Sequence, residues 1–308
     1  MNSEYIIETD KIIKSYGAKR VINEVSMHIK KGDIYGFVGK NGAGKTTIIR
    51  MLTGIINPTF GEYKIYGVSN KSKGIYECRK KIAAVVETPS IYLNMNARDN
   101  LKAQSLIKGK VNDKEIESIL RIVGLSNVDD KKLAKNYSLG MRQRLGIAMA
   151  LVGRPEILIL DEPTNGLDPE GIVEIRELLV DLNKKLNVTI LVSSHILDEL
   201  SKFVTCYGFI DEGKLIKEIS AKEVEESCKK RTMITLDSTE DVDKVLEKLE
   251  IKDYKVISDT ELEIMDDIHI GNFVLAMHKA KKEVIKINEI QEDLESYYMN
   301  LLRGAHNG

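Results

Sequence analysis

The sequence predicts an α/β chain: a doubly wound parallel sheet over residues 1–220, then a small α+β module over residues 221–308. Three observations predict it. Two runs, residues 157–160 and 188–192, apolar throughout except for Thr189, have the composition of strands buried on both faces. Helical patterns precede and follow these runs, so β and α segments alternate. Beyond about Ser220 the pattern changes to short strands separated by short helices.

The elements follow in order. Residues 5–8 and 21–29 are β-rich, and the turn Lys31-Gly32-Asp33 leads into an apolar strand over 34–38. A Gly-rich segment comes next, then a helix over 45–52. Residues 96–153 read as mostly helical, with Ile116, Ile119, Leu120 and Val123 at helical spacing. A charged linker helix over 221–230 opens the second module. After it come a strand (233–236), a helix (242–249), a strand pair (255–257 and 261–264), a helix (271–281), a strand (284–287) and a final helix (293–302). That βαββαβ order is the split-βαβ, ferredoxin-like arrangement. Alternation in Glu261-Leu262-Glu263-Ile264 predicts one solvated sheet face.

Composition narrows the function classes. Lys and Arg (46) nearly balance Asp and Glu (47), so no general attraction to nucleic acid is expected. Cys78, Cys206 and Cys228 are odd in number and form no CxxC pair, which argues against a zinc site or disulfide framework and for a reducing compartment. The acidic start lacks the features of a signal peptide, and no run of about 18 apolar residues predicts a membrane span. Work at a membrane would require another chain to hold this one there. His269 and His278 have no accompanying acids at metal-site spacing and read as surface or helix residues.

Gly39-Lys40-Asn41-Gly42-Ala43-Gly44-Lys45-Thr46 matches G-x-x-x-x-G-K-[ST], between a predicted strand and a predicted helix. Phosphates need close backbone approach, so glycines stand where a Cβ would intrude. Gly39, Asn41, Gly42, Ala43 and Gly44 form the loop, and Lys45, Thr46 and Thr47 open the helix, whose N-terminus favours anions. Lys45 can reach the β- and γ-phosphates of ATP, and the Thr46 hydroxyl can ligate Mg²⁺. The apolar run 157–160 ends in Asp161-Glu162, at the sheet mouth where α/β folds bind ligands. Asp161 is the second candidate for Mg²⁺, and Glu162 the candidate to polarise an attacking water. A DE pair that merely starts a helix would look similar in isolation; its pairing with the loop decides for the phosphate site.

These two elements define a P-loop NTPase without saying which kind. Asn136-Tyr137-Ser138-Leu139-Gly140-Met141-Arg142-Gln143-Arg144 resembles the signature sequence of ATP-binding cassette (ABC) proteins, usually read L-S-G-G-Q-x-Q-R. Ser138, Gly140, Gln143 and Arg144 match, whereas Tyr137, Leu139 and Met141 depart. Alone, the segment reads equally as a plain helix capped by Ser138. Its position between the two nucleotide motifs favours the signature.

The resemblance covers residues 1 to about 220 and implies an ABC-type core, a RecA-like sheet with a β-subdomain and a helical subdomain. It implies that Ser138 and Gly140 face the γ-phosphate held by a second copy, so that a homodimer sandwiches ATP. Asn165-Gly166-Leu167-Asp168 resembles the D-loop at the dimer seam, which adds Asp168 to the nucleotide-site candidates. His195, in Ser193-Ser194-His195, resembles the switch histidine, so the catalytic candidates are Glu162 and His195. Tyr16 resembles the aromatic that stacks on adenine, although one of twelve tyrosines also serves readily as core.

One departure bears on the metal. Where ABC proteins usually carry a Gln that ligates Mg²⁺, this chain has Glu87, and no glutamine lies between Cys78 and Leu101. A carboxylate supplies the same oxygen with added charge; the alternative is a solvated loop acid. With the Tyr137–Met141 signature, Glu87 resembles the bacitracin-resistance and lantibiotic-immunity exporter branch. The resemblance implies an ATP-hydrolysing motor for an antimicrobial-peptide exporter, bound to an integral membrane permease on the inner face of the cell membrane. The competing readings are a nucleotide-gated sensor and a soluble ABC protein acting on ribosomes or DNA. The single cassette, without a long insertion, speaks against the last.

Overall fold

The computed structural model describes residues 4–109, 111–228, 231–290 and 294–307. Lys229 and Lys230, at the end of the predicted linker helix, and Asp293, the predicted start of the final helix, lie outside the described residues. The chain divides into two compact units: one reaches Ala221 and resumes at Leu301, and the other is Lys222–Asn300.

In the first unit a six-stranded sheet runs in the order Lys214–Ser220, Cys206–Asp211, Ile34–Val38, Thr189–Ser194, Ile157–Asp161, Ile82–Val85. Every neighbouring pair is parallel except the first, a hairpin. Ile34–Val38, Thr189–Ser194 and Ile157–Asp161 are buried at every position, which is why residues 34–38, 190–192 and 157–160 are apolar runs rather than alternations. Helices Lys45–Leu52 and Pro169–Leu186 follow two of these strands, as the doubly wound reading requires. The strand Cys206–Asp211 has no counterpart among the predicted strands; Gly208 lies within it. A Cβ there would lie 2.1 Å from the Tyr35 Oη. That hydroxyl donates to Glu218 Oε1 at 2.7 Å, and burial together with the Glu218 charge pushes the phenol well above its ordinary pKa.

A second, antiparallel sheet contains Lys19–Val25, Tyr5–Tyr16, Phe60–Ile65 and Val68–Ser69, with His28–Lys30 also paired to Tyr5–Tyr16. It corrects two expectations. The predicted strand 5–8 continues to Tyr16, through a register shift between Ile12 and Lys14 beside the left-handed Lys11. The stretch 21–29 splits in two because the buried Thr9 hydroxyl interrupts the pairing, donating to Val25 O and accepting from Met27 N. The helical region resolves into Ala97–Ile107, Asp113–Ile122 and Leu139–Leu151, capped by Asn96, Asn112 and Ser138.

The second unit holds an antiparallel sheet in the order Tyr254–Val256, Glu261–Ile264, Arg231–Leu236, Val284–Ile290. Helices Val242–Lys248 and Ile270–Lys279 form the crossovers, and the strand order is that of a split βαβ. Its core contains Ile234, Leu236, Leu246, Leu262, Ile264, Phe273 and Met277. His269 caps the helix Ile270–Lys279 by accepting from Asn272 N. Phe273 is fully enclosed, so Phe273→Ala is expected to destabilise this unit by about 3–5 kcal/mol. Urea unfolding read by amide exchange over residues 231–290 measures the loss, and a change below about 1 kcal/mol would contradict this core assignment.

Candidate functional site

Strand Ile34–Val38 delivers the chain to Gly39, and helix Lys45–Leu52 leaves from Gly44 with no side-chain cap at its N-terminus. Its first N–H groups therefore remain open for an anion. Both bounding glycines are required by geometry. A Cβ on Gly39 would lie 2.4 Å from Ile210 O, and one on Gly44, at φ 109°, would lie 2.5 Å from Ile22 Cδ1. Asn41 and Gly42 are exposed, Ala43 is buried, and Thr46 and Thr47 are partly buried on the helix's first turn.

The Lys45 ammonium is buried. It donates to Gly39 O at 2.5 Å and Lys40 O at 3.3 Å, and makes an ionic contact of 3.1 Å with Glu162 Oε1. The other Glu162 oxygen, Oε2, lies 2.8 Å from His195 Nδ1. A cation, a carboxylate and an imidazole are thus joined in sequence at the sheet's carboxyl edge. Beside them, Thr46 Oγ1 donates to Asp161 Oδ2 at 2.7 Å, and Ser193 Oγ donates to Asp161 Oδ1 at 2.6 Å. Ser193 also accepts from Glu162 N at 2.9 Å.

Mg²⁺ prefers hard oxygen donors and usually takes one or two protein oxygens, completing its shell with water and phosphate. The Thr46 hydroxyl and Asp161 carboxylate, in contact next to the glycine cradle, fit that donor set. Among the described residues no trio of His, Cys, Asp and Glu gathers as a metal site, so an all-protein cage does not compete.

Ser138, Gly140 and Asp168 form a second cluster. Ser138 caps its helix by accepting from Met141 N at 3.2 Å, and Asp168 caps Pro169–Leu186 by accepting from Gly171 N. A Cβ on Gly166 would lie 3.4 Å from Leu139 Cδ2, so the signature-like helix start and the Asn165–Asp168 loop are neighbours. Among the described residues no hydrogen bond or ion pair joins this cluster to the phosphate-loop residues. Tyr16 stands exposed at the end of its strand, with Lys14 Nζ 5.2 Å from the ring centroid. The exposed Glu87 carboxylate is engaged by Arg50 at 2.5 Å, whereas the Thr46 hydroxyl is engaged by Asp161. Ser193 and Arg50 join the site through contacts that the motifs do not predict. Ser193 and Ser194 follow the apolar run 190–192 and directly precede His195.

The fold and these contacts define a class: a phosphate-loop nucleotide-binding ATPase whose loop faces an acid-tipped strand. Residues 22–165 match the ABC transporter family model. The chain is 42% identical over 308 aligned residues to the bacitracin transport ATP-binding protein BcrA of Bacillus licheniformis, covering 97% of this chain and 98% of the relative. It is 36% identical to the protein of the same name in Enterococcus faecalis, over 99% of each. The lantibiotic transport ATP-binding protein SrtF of Streptococcus pyogenes is 43% identical over 213 residues, which are 69% of this chain and 90% of the relative. Among solved structures, cbiO1 of Clostridium perfringens, part of the cbiONQ ABC transporter complex, superposes with a TM-score of 0.66 at 28% identity, covering 80% of this chain and 97% of that one. The chain belongs to the ABC transporter ATP-binding proteins. Among the described residues no helix is long and apolar enough to cross a membrane.

Gly39→Ala and Gly44→Ala should each weaken binding of a fluorescent ATP analogue by roughly tenfold or more, the cost of about 1.4 kcal/mol of displaced backbone. Equilibrium titration checks this, and wild-type affinity in both variants would show that the cradle does not hold the nucleotide.

Proposed function

We propose that this chain is the ATP-hydrolysing motor of an exporter for a bacitracin-like peptide antibiotic. The observation that carries the hydrolytic part is the Glu162 carboxylate held between Lys45 and His195, beside the Thr46–Asp161 pair. The end-to-end match to the bacitracin transport proteins supports the cargo, because it extends across both units of this chain. The lantibiotic relative matches over only 213 residues.

In this reading the glycine cradle and uncapped helix receive the β-phosphate, and Tyr16 stacks on the adenine. Asn41, Gly42, Ala43 and Thr47 line the loop. Thr46 and Asp161 would hold Mg²⁺, which when bound would offset negative charge on the triphosphate. Glu87, which is paired with Arg50, would offer a further oxygen for the same ion once released. Lys45 exchanges its contact with Glu162 for phosphate oxygens, because a buried ammonium follows the strongest available negative charge. Glu162 then takes the proton from the attacking water, and His195 keeps the carboxylate oriented. Ser138, Gly140 and Asp168 complete the site of a second copy. The homodimer works beneath an integral membrane permease, on the cytoplasmic face, without nucleic acid. Closure on ATP and opening after hydrolysis drive the permease.

Glu162→Gln keeps the shape but removes the base, and should lower turnover at least 10²-fold while ATP accumulates in a dimer. Single-turnover hydrolysis and size-exclusion chromatography check both, and normal hydrolysis would remove Glu162 from its role. Coexpressed with its permease, the wild-type chain should raise bacitracin tolerance and Glu162→Gln should not. Unchanged tolerance with an active wild-type ATPase would overturn the cargo, and would favour a sensor. Glu87→Gln should keep nucleotide affinity and leave the hydrolysis rate within roughly tenfold, about 1.4 kcal/mol of barrier. Loss of ATP binding in that variant would contradict the assignment of this loop.

A further inference from the structure

We propose that Ser193 is a positioning residue for hydrolysis, coupling the carboxylate on the Mg²⁺ side to the backbone of the general base. The inference rests on the roles given above to Asp161 and Glu162.

Glu162 adopts a left-handed backbone, φ 49°, immediately after the last residue of strand Ile157–Asp161. A side chain with a Cβ is seldom found there, and such a conformation persists only where the surroundings impose it. The turn also takes the Glu162 N–H out of the parallel ladder, whose last register pair is Asp161 with Ser193. That N–H then needs another acceptor, and the Ser193 hydroxyl supplies it at 2.9 Å. Ser193 is completely buried. Its single proton goes to Asp161 Oδ1 at 2.6 Å. One hydroxyl therefore accepts from the residue that carries the base and donates to the residue on the metal side. With Thr46 on Oδ2, both Asp161 oxygens are held, and the carboxylate plane cannot rotate without breaking a charge-assisted bond.

No other serine or threonine is hydrogen-bonded to both Asp161 and Glu162 among the described residues. Alanine at 193 would leave the Glu162 N–H without its acceptor and one Asp161 oxygen without its donor. Those losses act on where the base and the metal oxygen sit. They do not touch the glycine cradle that holds the nucleotide.

The test compares Ser193→Ala, Ser193→Cys and Ser193→Thr with the wild type and Glu162→Gln, each in the full chain. Six quantities are read: the number of nucleotide-binding sites, kcat per site, KM for ATP, the Mg²⁺ midpoint of activation, affinity for a fluorescent ATP analogue without Mg²⁺, and the thermal midpoint. Ser193→Ala should lose roughly 10- to 100-fold in kcat and need roughly threefold more Mg²⁺, with KM and metal-free affinity within about twofold. Ser193→Cys has nearly the same shape and a weak hydrogen-bonding group, so it should resemble alanine and stand in for it if alanine does not fold. Ser193→Thr keeps the hydroxyl and should recover most of the turnover. A serine needed only for packing would lower the thermal midpoint and the number of binding sites, leaving kcat per site and the Mg²⁺ midpoint unchanged. Either that pattern or threonine as impaired as cysteine overturns the proposal. Glu162→Gln separates the two levels: normal hydrolysis there sinks the underlying assignment, whereas an inactive Glu162→Gln with a fully active Ser193→Cys sinks only the role of Ser193.

Discussion

A carboxylate taken out of water must have its oxygens hydrogen-bonded, and Asp161, only 2% exposed at the end of a central strand, imposes that requirement on the cassette. Its partners come from two different elements. Thr46 lies on the helix that follows strand Ile34–Val38, and Ser193 lies on the adjacent strand Thr189–Ser194. Satisfying both places Thr189–Ser194 between Ile34–Val38 and Ile157–Asp161, in the register that sets Asp161 opposite Ser193. The phosphate loop is then anchored from its other side, where Gly39 packs against the Ile210 carbonyl of strand Cys206–Asp211. Four strands are thereby arranged around one acid, and the sheet order follows from what that acid and its loop must touch.

The same reasoning accounts for Lys45. An ammonium that is 5% exposed requires negative partners, and it finds two backbone carbonyls and the Glu162 carboxylate. Glu162 in turn holds His195 with its other oxygen. The candidate phosphate-binding cation and the candidate base are therefore counter-ions of one another. A triphosphate carries more negative charge than one carboxylate, so in the proposed function its arrival would redistribute this pair without any new charged residue entering the site.

Legibility in the sequence followed the chemistry. The helix Lys45–Leu52 was readable to the residue, because the loop glycines and the apolar strand before it leave one placement for its start. The buried strands at 157–161 and 189–194 were readable because burial on both faces forces apolar runs. Features that answer to one particular neighbour were not readable. Gly208 makes room for Tyr35, and Thr9 divides the stretch after Val25 by supplying hydrogen bonds from another strand. In the site, motif spacing nominated Lys45, Asp161, Glu162 and His195. Ser193 and the Arg50–Glu87 pair depend on cross-strand and cross-loop neighbours that no local pattern encodes.

Gly140 offers a contrast with the phosphate loop. Gly39 and Gly44 are demanded from within: a Cβ at either would collide with this chain's own atoms. A Cβ at Gly140 would meet only Leu167 Cδ2, at an ordinary 3.9 Å, and the residue does not have a left-handed backbone. Glycine is also a poorer helix former than alanine by about 1 kcal/mol. Neither packing nor backbone conformation in one copy explains a glycine in the first turn of Leu139–Leu151. Close approach by something outside the chain would. Beside it, Ser138 spends only its acceptor function on the cap and keeps a hydroxyl proton to donate. A bare backbone next to a hydroxyl donor at a helix N-terminus is suited to a phosphate oxygen. In the proposed sandwich that oxygen belongs to the nucleotide in the other copy, and the single chain carries half of two sites rather than the whole of one.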